Sequence, residues 1–310
     1  MEGFCFFIVA FPCLLGRIVI GMQFGEWKGI YYMGAQTHES IRTAVVPAAG
    51  LGTRLRPLTS ICPKELLPLG RKPALEIIVE ELHSVGVNCI IFVVSPQKLG
   101  IREYFGDSLY DGSVALRYAV QETQCGLADA ILCSESLVDS DDFIVALGDT
   151  IILSGETEGP THRLIKSYRE NGAGAAIVVD RVPWDMVSLY GIVRPVGQLD
   201  DRPFEIDALI EKPDRESAPS DYAIGGRYLF SRGIFETIRR TKPGVGGELQ
   251  ITDSISVAMS EGDRVWCAPM RPSERRFDIG SFKSYCEAFA SVCSFDHELV
   301  MSLQKGLSIT

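Results

Sequence analysis

The chain has 310 residues, 46% hydrophobic and 23% charged, which is ordinary globular composition with enough apolar material for a sizeable core. A formal charge of −10 and a pI near 5.0 exclude a surface built mainly to grip nucleic acid, because backbone phosphates need a basic face. Any phosphate handling must rest on a few positioned cations.

Nine cysteines run from Cys5 to Cys293 with no CxxC pair and no zinc spacing, a pattern that fits a reduced, cytoplasmic compartment. His38, His83, His162 and His297 are isolated and suggest neither a metal site nor a catalytic triad. Residues 1–40 differ in composition from the rest of the chain. Met1 to Ile20 is apolar, but Arg17 interrupts it and no cation precedes the run, so it makes a poor secretory leader. The uncharged stretch Phe4 to Gly16 is too short to span a bilayer, and no membrane association is expected. This segment reads as an extension or an upstream translation start, with Met22 or Met33 as the working one, ahead of a main domain at 41–292 and a helical tail at 293–310.

From Thr43 short β-rich runs alternate with amphipathic ones, the pattern of βαβ units in an α/β fold. Strands are predicted at Thr43 to Pro47, Cys89 to Ser95, Ala115 to Val120 and Phe143 to Leu147, with helices near Pro73 to Val85, Lys98 to Tyr104 and Leu127 to Leu137. A helix from about His162 stops at Asn171-Gly172, and the strand Ala175 to Val179 comes next. The remainder is mixed: strands at Gly191 to Arg194, Ile206 to Ile210 and Tyr222 to Phe230, then helices near Ile234 to Arg239, Glu248 to Glu261, Ser281 to Val292 and His297 to Lys305. With no repeat or long linker, one domain is preferred over two.

The most informative segment is Thr43-Ala-Val-Val-Pro-Ala-Ala-Gly-Leu-Gly-Thr-Arg54, succeeded by Pro63-Lys64-Glu65. A hydrophobic strand runs into a glycine loop at Gly50 and Gly52, where missing side chains let backbone N–H groups approach a phosphate or base. Leu55 stands where a dinucleotide fingerprint has its third glycine, and no Gly-Lys-Ser/Thr comes after it, so neither a Rossmann fingerprint nor a Walker loop is present. Arg54 and Lys64 add two cations beside the loop, a bidentate fork and a compact point charge. Gln121, in Gln121-Glu-Thr-Gln-Cys-Gly126-Leu-Ala, offers an acceptor and donors suited to a pyrimidine edge, and Gly126 would let a base lie against the backbone. Asp149 ends the apolar run Phe143 to Gly148, at a strand's carboxyl end where open α/β sheets bind ligands. Magnesium takes one or two carboxylates plus phosphate oxygens, and Asp278 in Arg276-Phe-Asp278-Ile-Gly280 is the candidate partner. Glu211-Lys212-Pro213 closes another strand, and the alternation of strand side chains suggests that Glu211 and Lys212 serve two groups rather than each other.

These segments resemble, in order, those of the sugar-1-phosphate nucleotidyltransferases over about Thr43 to Phe289. The resemblance implies a Rossmann-like, glycosyltransferase-A-like fold with a mixed, mostly parallel central sheet flanked by helices. It also implies roles: Ala49, Gly50 and Gly52 wrap the triphosphate and base, Arg54 holds the leaving pyrophosphate, Lys64 contacts phosphate, and Gln121 and Gly126 read uracil or thymine. Glu211 accepts from sugar hydroxyls, Lys212 holds the sugar phosphate, Gly191 and Gly226 wall the sugar pocket, and Asp149 and Asp278 hold Mg2+. The region after Asp278 is more similar to bacterial UTP–glucose-1-phosphate uridylyltransferases than to thymidylyltransferases, while the stretch from Phe105 to Gln121 is shorter than that group's. The expected reaction is therefore UTP plus glucose 1-phosphate giving UDP-glucose and pyrophosphate, in a homo-oligomer (dimer or tetramer). The alternatives are dTTP as donor, making dTDP-glucose, and a catalytically silent nucleotide-sugar-binding regulatory protein; retention of Arg54, Lys64, Asp149, Lys212 and Asp278 argues against silence.

Overall fold

The structure, a computed structural model, describes residues 41–307 apart from 157 and 198–201. The extension at 1–40 lies outside the described residues, and Ile41–Thr310 forms one unit by its internal contacts. Its strands are β1 (Thr43–Pro47), β2 (Pro68–Leu69), β3 (Lys72–Pro73), β4 (Cys89–Val94), β5 (Ser108–Leu109), β6 (Val114–Val120), β7 (Asp142–Ala146), β8 (Thr150–Leu153), β9 (Ala175–Arg181), β10 (Gly191–Pro195), β11 (Phe204–Glu211), β12 (Tyr222–Ser231), β13 (Val265–Pro269) and β14 (Arg275–Asp278). Its helices are α1 (Ala74–Ser84), α2 (Leu99–Phe105), α3 (Leu127–Cys133), α4 (Pro160–Asn171), α5 (Ile234–Arg240), α6 (Ile251–Ser260), α7 (Phe282–Cys293) and α8 (His297–Leu307).

Ten strands form the main sheet in the order β10-β11-β13-β9-β12-β7-β1-β4-β6-β5. The central strands have no polar face because both sides are covered: Val45, Ile91, Val93 and Phe143 enter one core, Val46, Phe92 and Ile144 the other, all fully buried. The helices start and stop where local chemistry dictates. Pro160 opens α4, where its missing N–H costs nothing, and Gly172 closes it at φ 57; Ser281 and Ser284 form a reciprocal cap at the start of α7. No helix among the described residues is long and apolar enough to cross a membrane.

The sheet is mixed, but not mostly parallel. β1–β4, β1–β7, β4–β6 and β9–β13 are parallel, whereas β12 runs antiparallel to β7, β9 and β10, and β10–β11, β11–β13 and β5–β6 are antiparallel too. The physical reason is connection length. Parallel neighbours need a crossover of a dozen or more residues, and the links from β10 to β11 and from β5 to β6 are too short for one. The extra β10–β12 pairing closes β10, β11, β13, β9 and β12 into a small ring beside the parallel half.

Arg227 joins these parts. It is fully buried on β12, grips Glu81 of α1 in a bidentate pair at 3.0 and 2.7 Å, and donates to the carbonyls of Gly226 and Thr150 at 3.1 and 3.0 Å. Removing one partner of a buried pair leaves a charge with no water to solvate it, so Glu81→Ala should lower folding stability by on the order of 3–5 kcal/mol, measured by urea denaturation.

Candidate active site

The glycine loop leaves β1 at its carboxyl end and is pinned from both sides. The Ala48 N–H donates to the Val93 carbonyl at 2.8 Å, and the Gly148 N–H donates to the Pro47 carbonyl at 3.1 Å. A Cβ on Gly148 would stand 2.8 Å from that carbonyl, so only glycine lets β7 turn this close to β1. Gly52 has φ 63, and the Thr59 hydroxyl donates to its carbonyl at 2.8 Å; buried Leu55 anchors the far side, while Ala49 is buried and Gly50 exposed.

Four of the five predicted charged residues meet at the end of this loop. Lys64 lies against Gly50, 3.6 Å from where a Cβ would be, and forms an ion pair with Asp149. Burial opposes both charges, but each outweighs that cost for the other: the Lys64 pKa is raised and the Asp149 carboxyl is held below its usual range. β14 pairs with β8 so that Asp278 stands opposite Thr150, whose hydroxyl donates to Asp278 Oδ1 at 3.1 Å, and the Ile279 N–H donates to the Asp149 carbonyl at 2.7 Å. Asp149, immediately before β8, and Asp278, the last residue of β14, are therefore brought side by side along the backbone. Arg54 reaches the same edge, with a terminal nitrogen 2.9 Å from where a Gly280 Cβ would be.

The sequence does not announce a second cation beneath the loop. Buried Lys98 donates to the Ala48 carbonyl at 2.7 Å and to both oxygens of buried Glu65 at 2.9 and 2.7 Å. Burial pushes the Glu65 carboxyl up and the Lys98 ammonium down, so each charge persists only through the other. Glu65 and Lys98 are 33 residues apart, and no local pattern ties them.

Lys212 and Glu211 lie farther along the same cleft wall. Lys212 N–H donates to the Tyr190 carbonyl at 3.0 Å, the Tyr190 ring lies under the Arg276 guanidinium at 4.7 Å, and Arg276 donates to Asp278 Oδ2 at 2.7 Å. Glu211 and Lys212 do pair with each other, at 3.2 Å, contrary to the expectation from strand alternation. The chain leaves β11 at Glu211, and Lys212 adopts φ 45 ahead of Pro213, which swings its side chain back toward its neighbour. The Thr252 hydroxyl fixes the other Glu211 oxygen at 3.1 Å, a partner that no sequence motif singles out. Gly191 faces this pair: a Cβ there would stand 2.9 Å from Thr252 Cγ2 and 3.2 Å from Glu211 Oε2. Gly226, at φ 79, packs its bare Cα against Thr150, 3.0 Å from where its Cβ would be.

Gln121 directly follows β6, two strands from β1, and its amide nitrogen donates to Asp129 Oδ2 at 2.7 Å and to the Gly126 carbonyl at 3.2 Å. Gly126 is glycine for a reason other than room for a base. A Cβ there would stand 2.5 Å from the Leu249 carbonyl oxygen, so the close approach is taken by the chain's own backbone.

A mixed α/β sheet whose parallel strands carry a glycine loop, an aspartate pair and several cations at their carboxyl edge is the frame of a nucleotide-handling transferase. Residues 43–294 match the family model for nucleotidyl transferases, and the chain belongs to that family. It is 36% identical over 262 residues to a UTP–glucose-1-phosphate uridylyltransferase of Streptococcus pyogenes, covering 77% of this chain and 86% of that one. Among solved structures, the UTP-bound UDP-glucose pyrophosphorylase of Acinetobacter baumannii superposes with a TM-score of 0.77 at 29% identity, over 86% of this chain and 98% of that one. A UDP-glucose pyrophosphorylase complexed with UDP-glucose gives 0.74 at 30% identity, over 81% and 98%.

The Lys64–Asp149 pair has a pH signature. With Lys64 present the Asp149 carboxyl is depressed, so the stability it contributes is complete above the unfolded carboxylate value of about 3.9 and is lost as pH falls through the lower folded value. In Lys64→Met the main influence holding Asp149 down is gone, leaving burial opposed by a backbone hydrogen bond and the Lys98 charge, so its folded pKa moves up and the stability that its depression contributes at neutral pH shrinks. The stability gap between wild type and Lys64→Met should narrow as pH falls from about 7 to about 4, read from denaturation midpoints across that range.

Proposed function

We propose that the chain transfers a uridylyl group from UTP to glucose 1-phosphate, giving UDP-glucose and pyrophosphate. The observation that carries this reading is the convergence of Arg54, Lys64, Asp149 and Asp278 on the glycine loop, with Lys212 along the same wall, in a member of the nucleotidyl transferase family whose named relatives use these substrates. The same convergence weighs against a silent binding subunit, for which so many positioned charges serve no purpose.

The reaction joins two polyanions, so the obstacle is repulsion rather than proton transfer. The sugar phosphate oxygen that attacks the α-phosphorus is already an anion at neutral pH, and no general base is required. Alignment and charge neutralisation fall to the protein. Arg54 at the loop mouth would hold the leaving pyrophosphate, Lys64 the donor phosphates, and Lys212, released from Glu211, the sugar phosphate. Glu211, steadied by Thr252, would then accept from sugar hydroxyls, with Gly191 packed beside it and Gly226 against Thr150 as walls of the sugar pocket. The carboxylates of Asp149 and Asp278, carried on neighbouring backbone, fit Mg2+, which prefers one or two carboxylates and completes its shell with phosphate oxygens. When bound, the ion would supply charge neutralisation at the reacting phosphate oxygens. Seven free cysteines among the described residues agree with a cytoplasmic location.

Pyrophosphate release, assayed with UTP or dTTP crossed with several sugar 1-phosphates and Mg2+, tests the substrate assignment; UTP with glucose 1-phosphate should give the highest kcat/KM, and no release with any pair would remove the enzyme reading. Asp149→Ala should cut turnover by several orders of magnitude, whereas Lys212→Ala should mainly raise the KM for the sugar phosphate. Near-normal turnover of Asp149→Ala at limiting magnesium would dismiss the metal assignment.

A further inference from the structure

Gln121 is 3% exposed, and among the described residues two acceptors hydrogen-bond its amide nitrogen: Asp129 Oδ2 at 2.7 Å and the Gly126 carbonyl at 3.2 Å. A carboxylate and a carbonyl can only accept, so the amide nitrogen must face them, and the orientation is decided by chemistry rather than by a choice between look-alike atoms. Both N–H donors are thereby committed. Gln121 Oε1 has no hydrogen bond among the described residues, yet it is not sealed away from water, so it opens toward solvent. What Gln121 leaves for a ligand is thus an acceptor held in one sense.

We infer that Asp129 is the positioning residue for base selectivity: by anchoring the Gln121 amide nitrogen it fixes Oε1 as an acceptor for the N3–H of uracil and turns away cytosine. This inference rests on the uridylyl-transfer reading, since it concerns the base of the donor nucleotide. Uracil carries a donor at N3, and so does thymine, whereas cytosine carries an acceptor there. An acceptor that cannot rotate meets cytosine with two lone pairs opposed, and a buried acceptor left unpaired is costly. A glutamine free to turn would offer N–H to cytosine N3 and lose that discrimination.

Asp129 also stands in the first turn of α3, where an acidic side chain is favoured by the helix dipole whatever it binds. The test separates the two roles. The kcat/KM for UTP, dTTP and CTP with glucose 1-phosphate and Mg2+ is measured for wild type, Asp129→Ala and Asp129→Asn, together with melting curves. Asp129→Ala removes the acceptor, and the UTP-to-CTP ratio should fall about tenfold, mostly through a higher KM for UTP, with the KM for glucose 1-phosphate unchanged. Asp129→Asn removes the charge but keeps an amide oxygen in place, and should hold the ratio within about threefold of wild type. A ratio unmoved by Asp129→Ala, or lowered equally by both variants, overturns the inference and leaves a helix-start charge. If Asp129→Ala does not accumulate folded, Asp129→Ser, too short to span the gap, carries the same expectation. A wild type inactive with uracil and thymine nucleotides overturns the uridylyl-transfer reading and this one with it, whereas an active wild type with an unmoved ratio sinks this inference alone.

Discussion

The ion pair between Lys64 and Asp149 is the interaction on which the cleft depends. An aspartate at the end of β7, beside two buried cores, would lose its charge to desolvation if it stood alone. Lys64 prevents this, and in doing so draws the turn after the glycine loop across to the second strand's end. The arrangement is self-consistent only while both charges stay: the lysine's own raised pKa depends on the same carboxylate. A site assembled this way holds its cation and its anion ready without solvating either, so a polyanionic substrate finds charge already fixed in place rather than charge it must organise.

Around that pair the protein adopts unusual backbone. Gly148 and Gly126 exist so that two backbones can touch, and Lys212 takes a left-handed conformation that side-chain-bearing residues avoid, immediately before a proline. Such conformations persist where the surroundings overdetermine them. At Lys212 the surroundings are the Tyr190 carbonyl on its N–H and Glu211 on its ammonium, and Tyr190 is itself clamped by Arg276. The strain therefore sits at the junction between the ring of β10, β11, β13, β9 and β12 and the aspartate pair, which is where a sugar phosphate would have to reach both.

Much of this is legible in the sequence because it is local. The strand β1, its glycine loop and the Gly-Asp at Asp149 are each contiguous in the chain, and period and turn chemistry suffice to read them. Lys64, Arg54, Asp149 and Asp278 are readable for the same reason, each standing at the end of a recognisable run. What escapes is non-local or short. β8 and β14 have four residues each and find their only strand partner in each other among the described residues, 128 residues apart at Thr150 and Asp278. The Lys98–Glu65 clamp and the Thr252–Glu211 contact join residues with no periodic relation. Parallel pairing is overestimated from sequence because the second half looks like alternating strands and helices until its short connections are weighed. The pairing of Glu211 with Lys212 goes unseen when strand alternation is carried one residue past the end of the strand.

The reason for Gly126 links the two ends of the cleft. The Leu249 N–H donates to the Cys125 carbonyl at 2.7 Å, and the Ala128 N–H donates to the Leu249 carbonyl at 3.0 Å, so the turn that carries Gly126 is stitched to a short segment lying between the Gly246-Gly247 turn and α6. A few residues farther on, Thr252 holds Glu211. One backbone segment thus bears on the loop proposed to read the base and on the carboxylate proposed to hold the sugar. A Cβ at Gly126 would have to push that segment aside, and a displacement there would reach Glu211 through Thr252. The spacing between the proposed base and sugar sites thus rests on two main-chain hydrogen bonds at Leu249 and one side-chain bond from Thr252, and main-chain geometry is what a sequence pattern of polar and apolar residues carries least visibly.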